Sequence, residues 1–212
     1  MVYESAPRFL VLHALRLKGF AETAALAAAT GLTEEEIDGL LAGLGEKDVV
    51  LRRDGRVSGW QLTPLGKALH LEEVAEEIEG SGARPAVQDA YRRFLDLNGD
   101  ILNVCTAWQM RERGGRQTVN DHGDPAYDAE VVGRLVAIDG QARPVTDDLA
   151  VCLARFGRYG DRLGAAVERI VAGDGSWFTK PIVDSYHTVW FELHEDLLST
   201  LNLERSTEAQ VG

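Results

Sequence analysis

The sequence predicts a mainly α-helical protein in two parts, on three observations. Between Gly31 and Gly66, apolar positions Ile37, Leu40, Leu41 and Leu44 recur at helical spacing behind Thr33, a residue suited to capping a helix start. Two β-prone runs follow, VVLRR and VSGWQLT, separated by Asp54-Gly55-Arg56; Asp-Gly supplies the positive φ angles of a tight hairpin. Beyond residue 84 the apolar periodicity is helical throughout, punctuated by Gly and Pro. The first two observations describe the second half of a winged helix-turn-helix, so the expected architecture is that domain over residues 1–80, followed by an all-helical domain over residues 84–205.

The elements preceding the hairpin fit this order. Pro7 to Lys18 is a mostly apolar helix that stops at Gly19, and the Ala-rich stretch Glu22 to Thr30 stops at Gly31, as a C-terminal glycine predicts. The helix after Thr33 buries one stripe and exposes Glu34, Glu35, Glu36, Asp38 and Glu46. Trp60 and Leu62 cover the core side of the hairpin, and Gly59 beside them marks a bulge. Pro64 to Glu79 is a helix with one acidic flank, and Gly80-Ser81-Gly82 is a flexible break at the domain boundary.

This region, roughly residues 7 to 78, resembles the winged-helix domain of the MarR class of bacterial transcription regulators. The residues that carry the resemblance are Asp54-Gly55-Arg56 at the hairpin tip and Leu62-Thr63-Pro64-Leu65-Gly66 where the second strand hands over to a helix. The resemblance implies that Arg56 enters a minor groove while the helix near Thr33 lies in a major groove, where Glu35 and Glu36 accept from cytosine amino groups. Arg52 and Arg53 would join Arg56, with some of Arg8, Arg16 and Lys18, in one positive edge against phosphates. The family's N-terminal dimer helix is missing, so the C-terminal region is expected to hold a homodimer together.

Charge limits the partners. The net charge of −12 divides evenly: residues 1–80 carry 8 Lys+Arg against 14 Asp+Glu, and residues 81–212 carry 14 against 20. Neither part is a polybasic nucleic-acid coat. No apolar run approaches the ~20 residues of a membrane helix, and no secretory leader pattern opens the chain, so a soluble cytoplasmic protein is expected. Cys105 and Cys152 lack metal-finger spacing and read as reduced, small apolar residues.

In the second half, helices are expected over 86–112, kinked or broken at Asn98-Gly99, then over 126–139, 146–156, 159–172 and 181–201, the last capped by Thr179. The residues from Ser206 read as a frayed tail. On the last helix, His187, Trp190, Phe191, His194 and Leu198 share one face. Turned inward, its imidazoles need partners, and the loop Asn120-Asp121-His122 is the other dense polar cluster of this half. Such a face lines an effector pocket, binds a metal or forms a polar core, and the residues leave all three open. The effector reading takes Trp108, Asn120, His122, His187, Trp190 and His194 as lining residues for a small molecule. Catalytic motifs with recognisable spacing are absent, as are phosphate-binding glycine loops, so neither an enzyme nor a resident cofactor is expected. A module that docks a protein through its acidic face, without touching DNA, is the alternative function.

Overall fold

The computed structural model describes residues 2–55, 58–181 and 183–203. Arg56 and the residues from Ser206 onward lie outside these. The chain forms two compact units, one comprising Met1–Pro85, Cys152–Arg155 and Glu195–Gly212, the other Ala86–Val151 and Phe156–His194. This differs from a single cut near residue 82, because the end of one long helix and the second half of the last helix belong with the N-terminal segment.

In the first unit the order is α1 (Pro7–Lys18), α2 (Thr23–Thr30), α3 (Glu34–Gly45), β1 (Val50–Arg53), β2 (Gly59–Leu62) and α4 (Pro64–Gly80). Positive φ at Gly19 and Gly31 ends the first two helices. A capping box starts α3: the Thr33 hydroxyl accepts from the Glu36 N–H, and the Glu36 carboxylate accepts from the Thr33 N–H. Val11, Leu12, Leu15, Leu26, Ile37, Leu41, Leu44, Val50 and Leu62 form one core, with Trp60 and Leu69 packed against it.

β1 and β2 pair antiparallel in continuous register from Val50 opposite Leu62 to Arg53 opposite Gly59, so there is no bulge at Gly59. Glycine is needed there for another reason: a Cβ would meet the Phe20 ring at 2.7 Å and the Ala21 carbonyl at 2.9 Å. Ala21 comes that close because it exchanges two backbone hydrogen bonds with Trp60, adding a one-residue third strand between α1 and α2. Leu62-Thr63-Pro64-Leu65-Gly66 has an equally direct cause. The Thr63 hydroxyl accepts from the Gly66 N–H to cap α4, while a Cβ on Gly66 would sit 2.1 Å from the Val49 carbonyl oxygen. At the other end of the unit, Tyr3 bridges Leu153 in parallel.

The second unit contains most of α5 (Arg84–Gln109), then β3 (Met110–Arg113), β4 (Arg116–Val119), α6 (Pro125–Cys152) as far as Val151, the Phe156 end of a 3-10 turn (Ala154–Phe156), α7 (Gly157–Val171), α8 (Ser176–Thr179) and the first half of α9 (Tyr186–Leu201). Three expectations are corrected here. α5 runs unbroken through Asn98-Gly99, since the buried stripe Tyr91, Phe94, Leu97, Ile101 and Val104 continues across it. α6 likewise continues past Gly140 and Pro144, held by Leu135, Ile138, Ala142, Val145 and Leu149; packing outweighs the hydrogen bond that Pro144 forfeits. α9 begins at Tyr186 rather than Pro181: Ser185 caps it by accepting from the Thr188 N–H, and Thr179 instead ends α8.

A fourth correction is the β3–β4 hairpin, in a half expected to be all helix. Gly114 and Gly115 both have positive φ, at 61° and 76°, which matches a two-residue hairpin turn. Its strands, MRER and RQTV, are polar and mostly exposed, so no apolar alternation announces them. Among the described residues no helix is long and apolar enough to cross a membrane.

Candidate functional site

On the exposed face of α3, Glu34, Glu35 and Asp38 are open to solvent. Thr33 and Glu36 are already each other's partners, because the Glu36 carboxylate takes both the Thr33 N–H and hydroxyl at 2.8 Å. Those bonds hold the Glu36 carboxyl below its ordinary pKa. Glu34 and Glu35 therefore remain acceptors free of the cap on that turn. On β1, Arg52 and Arg53 are exposed. Arg52 donates through Nε to Asp54 at 3.0 Å and lies 5.7 Å over the Trp60 ring. Arg8, expected on the same positive edge, pairs with Glu73.

Sequence reasoning missed a buried polar cluster in the first unit. His13 Nδ1 lies 2.9 Å from His70 Nε2, and His13 Nε2 lies 2.9 Å from Asp196 Oδ1. Arg155 pairs with Asp196 and, at 2.8 Å, with Glu77; it also donates to Thr200 at 2.7 Å. Ser5 donates to Glu77 from the other side. The Asp196 carboxylate accepts at His13 Nε2, and a single proton lies between His13 Nδ1 and His70 Nε2. His70 Nδ1 is a buried nitrogen with no hydrogen-bond partner among the described residues.

Charge in this cluster is set by burial and neighbours. Burial, then the His13 and Arg16 charges, push the His70 pKa down to about 3. Burial alone would raise the Asp196 pKa, yet Arg155 and His13 beside it hold the carboxyl well below the usual range. A buried ion pair with every partner in place is tolerable, and one with a partner removed is not. In the sequence a lone His13 in an apolar helix has the look of an ordinary packed or surface histidine, Glu77 is one more glutamate of an acidic flank, and Arg155 is one of 18 arginines. Only the fold assembles them.

The face of α9 carrying His187, Trp190 and His194 packs on α5. Trp190 is 3% and His194 6% exposed, whereas His187 is half-buried and Phe191 is exposed. Trp190 stacks on Phe94 at 4.4 Å and donates its indole N–H to Asn98 Oδ1 at 3.0 Å. The His194 ring lies 5.0 Å from Phe94 and 6.3 Å from Tyr91. Burial lowers the His187 pKa.

Trp108, Asn120 and His122 form a second cluster. Trp108 stacks on Phe178 at 4.5 Å and meets His122 at 4.4 Å. Asn120 donates to the Trp108 carbonyl and to Asp128, and His122 Nδ1 is 3.0 Å from Asp128 Oδ2. The described contacts thus fall into two groups, Trp190 and His194 with Asn98 and Phe94, and Trp108 with Phe178, Asn120 and His122. His122 holds a positive φ of 53° and keeps a partly exposed ring. Cys105 and Cys152 are both free thiols, and burial pushes Cys105 up to about 12, which leaves it protonated at neutral pH. Among the described residues no group of three or more His, Cys, Asp or Glu side chains is arranged to hold a metal ion.

Compared with known proteins, the chain matches no family model, no curated sequence and no solved structure.

Proposed function

We propose that the chain is a DNA-binding transcription regulator, with the first unit as a winged helix-turn-helix reader and the 84–205 region supplying homodimerisation and small-molecule sensing. The observation that carries this reading is the order of elements in the first unit: helix, a short strand at Ala21, two further helices, and a hairpin whose second strand pairs back to Ala21. In a winged helix that order sets α3 in the recognition position and β1–β2 as the wing. α3 is capped by Thr33 and Glu36, leaving Glu35 to accept from base amino groups, while Arg52 and Arg53 face solvent on the wing. For the sensor, Trp108, Asn120 and His122 are the stronger group, since the His122 ring is partly exposed and oriented by Asp128. Trp190 and His194 act as packing, with His187 at the edge of that face.

One observation favours a second reading, a module that docks a protein: the open face of α3 bears Glu34, Glu35 and Asp38 and no cation. Selecting bound sequences from a random DNA pool with the purified full chain separates the two. A recurrent motif supports the regulator; an unenriched pool at low salt, where phosphate contacts are strongest, supports the docking module.

A further inference from the structure

We propose that the groove between α1, β2 and α4 binds an aliphatic carboxylate, with Arg16 and Lys67 holding the anionic head and Leu15, Leu62 and Leu71 seating the chain. The groove is a cavity of about 470 Å³ within the first unit, and Gln61 completes its wall. That volume falls in the range of small-molecule sites.

The head group follows from charge. In a chain carrying 34 Asp and Glu against 22 Lys and Arg, several arginines of the first unit have an acidic neighbour, as Arg8 has Glu73, Arg52 has Asp54 and Arg84 has Glu79. Arg16 and Lys67 have no carboxylate partner among the described residues, yet both border one cavity. The Arg16 charge also reaches inside the fold, where it helps to lower the His70 pKa. Two cations facing one space attract an anion, and the Gln61 amide can add a neutral N–H.

The tail follows from the floor. Leu15 and Leu62 are buried in the unit's core, while Leu71 is 53% exposed on the rim, one helical turn from Lys67. The apolar wall is aliphatic, without an aromatic ring to stack on, so a flexible alkyl chain fits it better than a planar ligand. Covering Leu71 removes exposed apolar area that the free protein leaves in water. This site shares no residue with the Trp108 cluster.

Isothermal titration of the full chain with octanoate, acetate, 1-octanol and octylammonium tests the assignment. Octanoate should bind at one site per chain, with acetate and 1-octanol each at least tenfold weaker and octylammonium silent. In the double variant Arg16→Gln, Lys67→Gln, octanoate affinity should fall roughly tenfold or more, and in Leu71→Ser severalfold, both with an unchanged melting temperature because all three side chains sit at the surface. The proposal is overturned if octanoate gives no binding up to about 1 mM, the weak end of specific affinity. It is equally overturned if octanol or acetate binds as well as octanoate, or if the double variant binds octanoate normally.

Discussion

His13 Nε2 lies 2.9 Å from Asp196 Oδ1, joining the first helix to the last across 183 positions of chain. Both atoms are buried, and Asp196 also receives Arg155. The last turns of α9 are therefore part of the N-terminal unit's interior rather than an appendage to the helices before them. Asp196→Ala should cost about 3 to 5 kcal/mol, because it strands the Arg155 and His13 donors away from water. Urea unfolding followed by helical circular dichroism measures this; a loss under ~1 kcal/mol would mean that water reaches Arg155 freely.

The same cluster sets an acid limit. Unfolded, His70 takes a proton near its ordinary pKa of about 6.5, but folded it resists until about 3. The unfolded state therefore binds more protons between these values, and stability falls as pH drops through that window. Asp196 has the opposite charge type and a depressed pKa, so its stabilisation is present above about 3.9 and is lost only below that. Urea midpoints should decline steadily from pH 6.5 towards 4, by up to about 1.4 kcal/mol per pH unit for the single His70 proton. His70→Gln, which can still donate to His13, should flatten that slope; an unchanged slope would assign the proton elsewhere.

Gly66 is fixed by the Val49 carbonyl oxygen, which a Cβ would approach to 2.1 Å. Gly66→Ala must push α4 away from the end of α3 or break the Thr63 cap, costing roughly 1 to 3 kcal/mol. Gly39→Ala is the control, since nothing lies within 4 Å of its Cβ position, and there alanine should stabilise α3 by about 0.5 to 1 kcal/mol. Equal melting temperatures for the two variants would contradict the close approach.

The elements legible in the sequence were those whose signals are local. The Thr33 cap, the stop glycines 19 and 31 and the pair of strands either side of Asp54-Gly55 each depend on a few adjacent residues, and each has its expected place. Pro144 and Asn98-Gly99 misled for a related reason: they are local breakers overruled by long buried stripes whose packing no short window registers. The β3–β4 hairpin was invisible because its strands bury almost nothing. On α9 the periodicity correctly set His187, Trp190 and His194 on one face, but it could not say that Asn98 and Phe94, about 90 positions away, would meet them.

The wing should dominate any DNA contact, because α3 offers phosphates only acidic or uncharged groups. Arg53 is exposed at the end of β1, and Arg52 is held by Asp54 and the Trp60 ring, so Arg53 can reach a phosphate without breaking another bond. Arg53→Ala should weaken binding to a selected site by about 1 kcal/mol, nearly equally for all sequences, and reduce the slope of log affinity against log salt by about one phosphate contact. Glu35→Gln should behave differently. It removes a repelling charge and an acceptor for cytosine, so it should raise affinity for random DNA while narrowing the gap between selected and random sites. Fluorescence anisotropy over a salt series reads both quantities. If Arg53→Ala leaves the salt slope intact, or Glu35→Gln weakens binding to random DNA, the wing and α3 are not disposed towards DNA in this way, and the acidic face is better assigned to a protein partner.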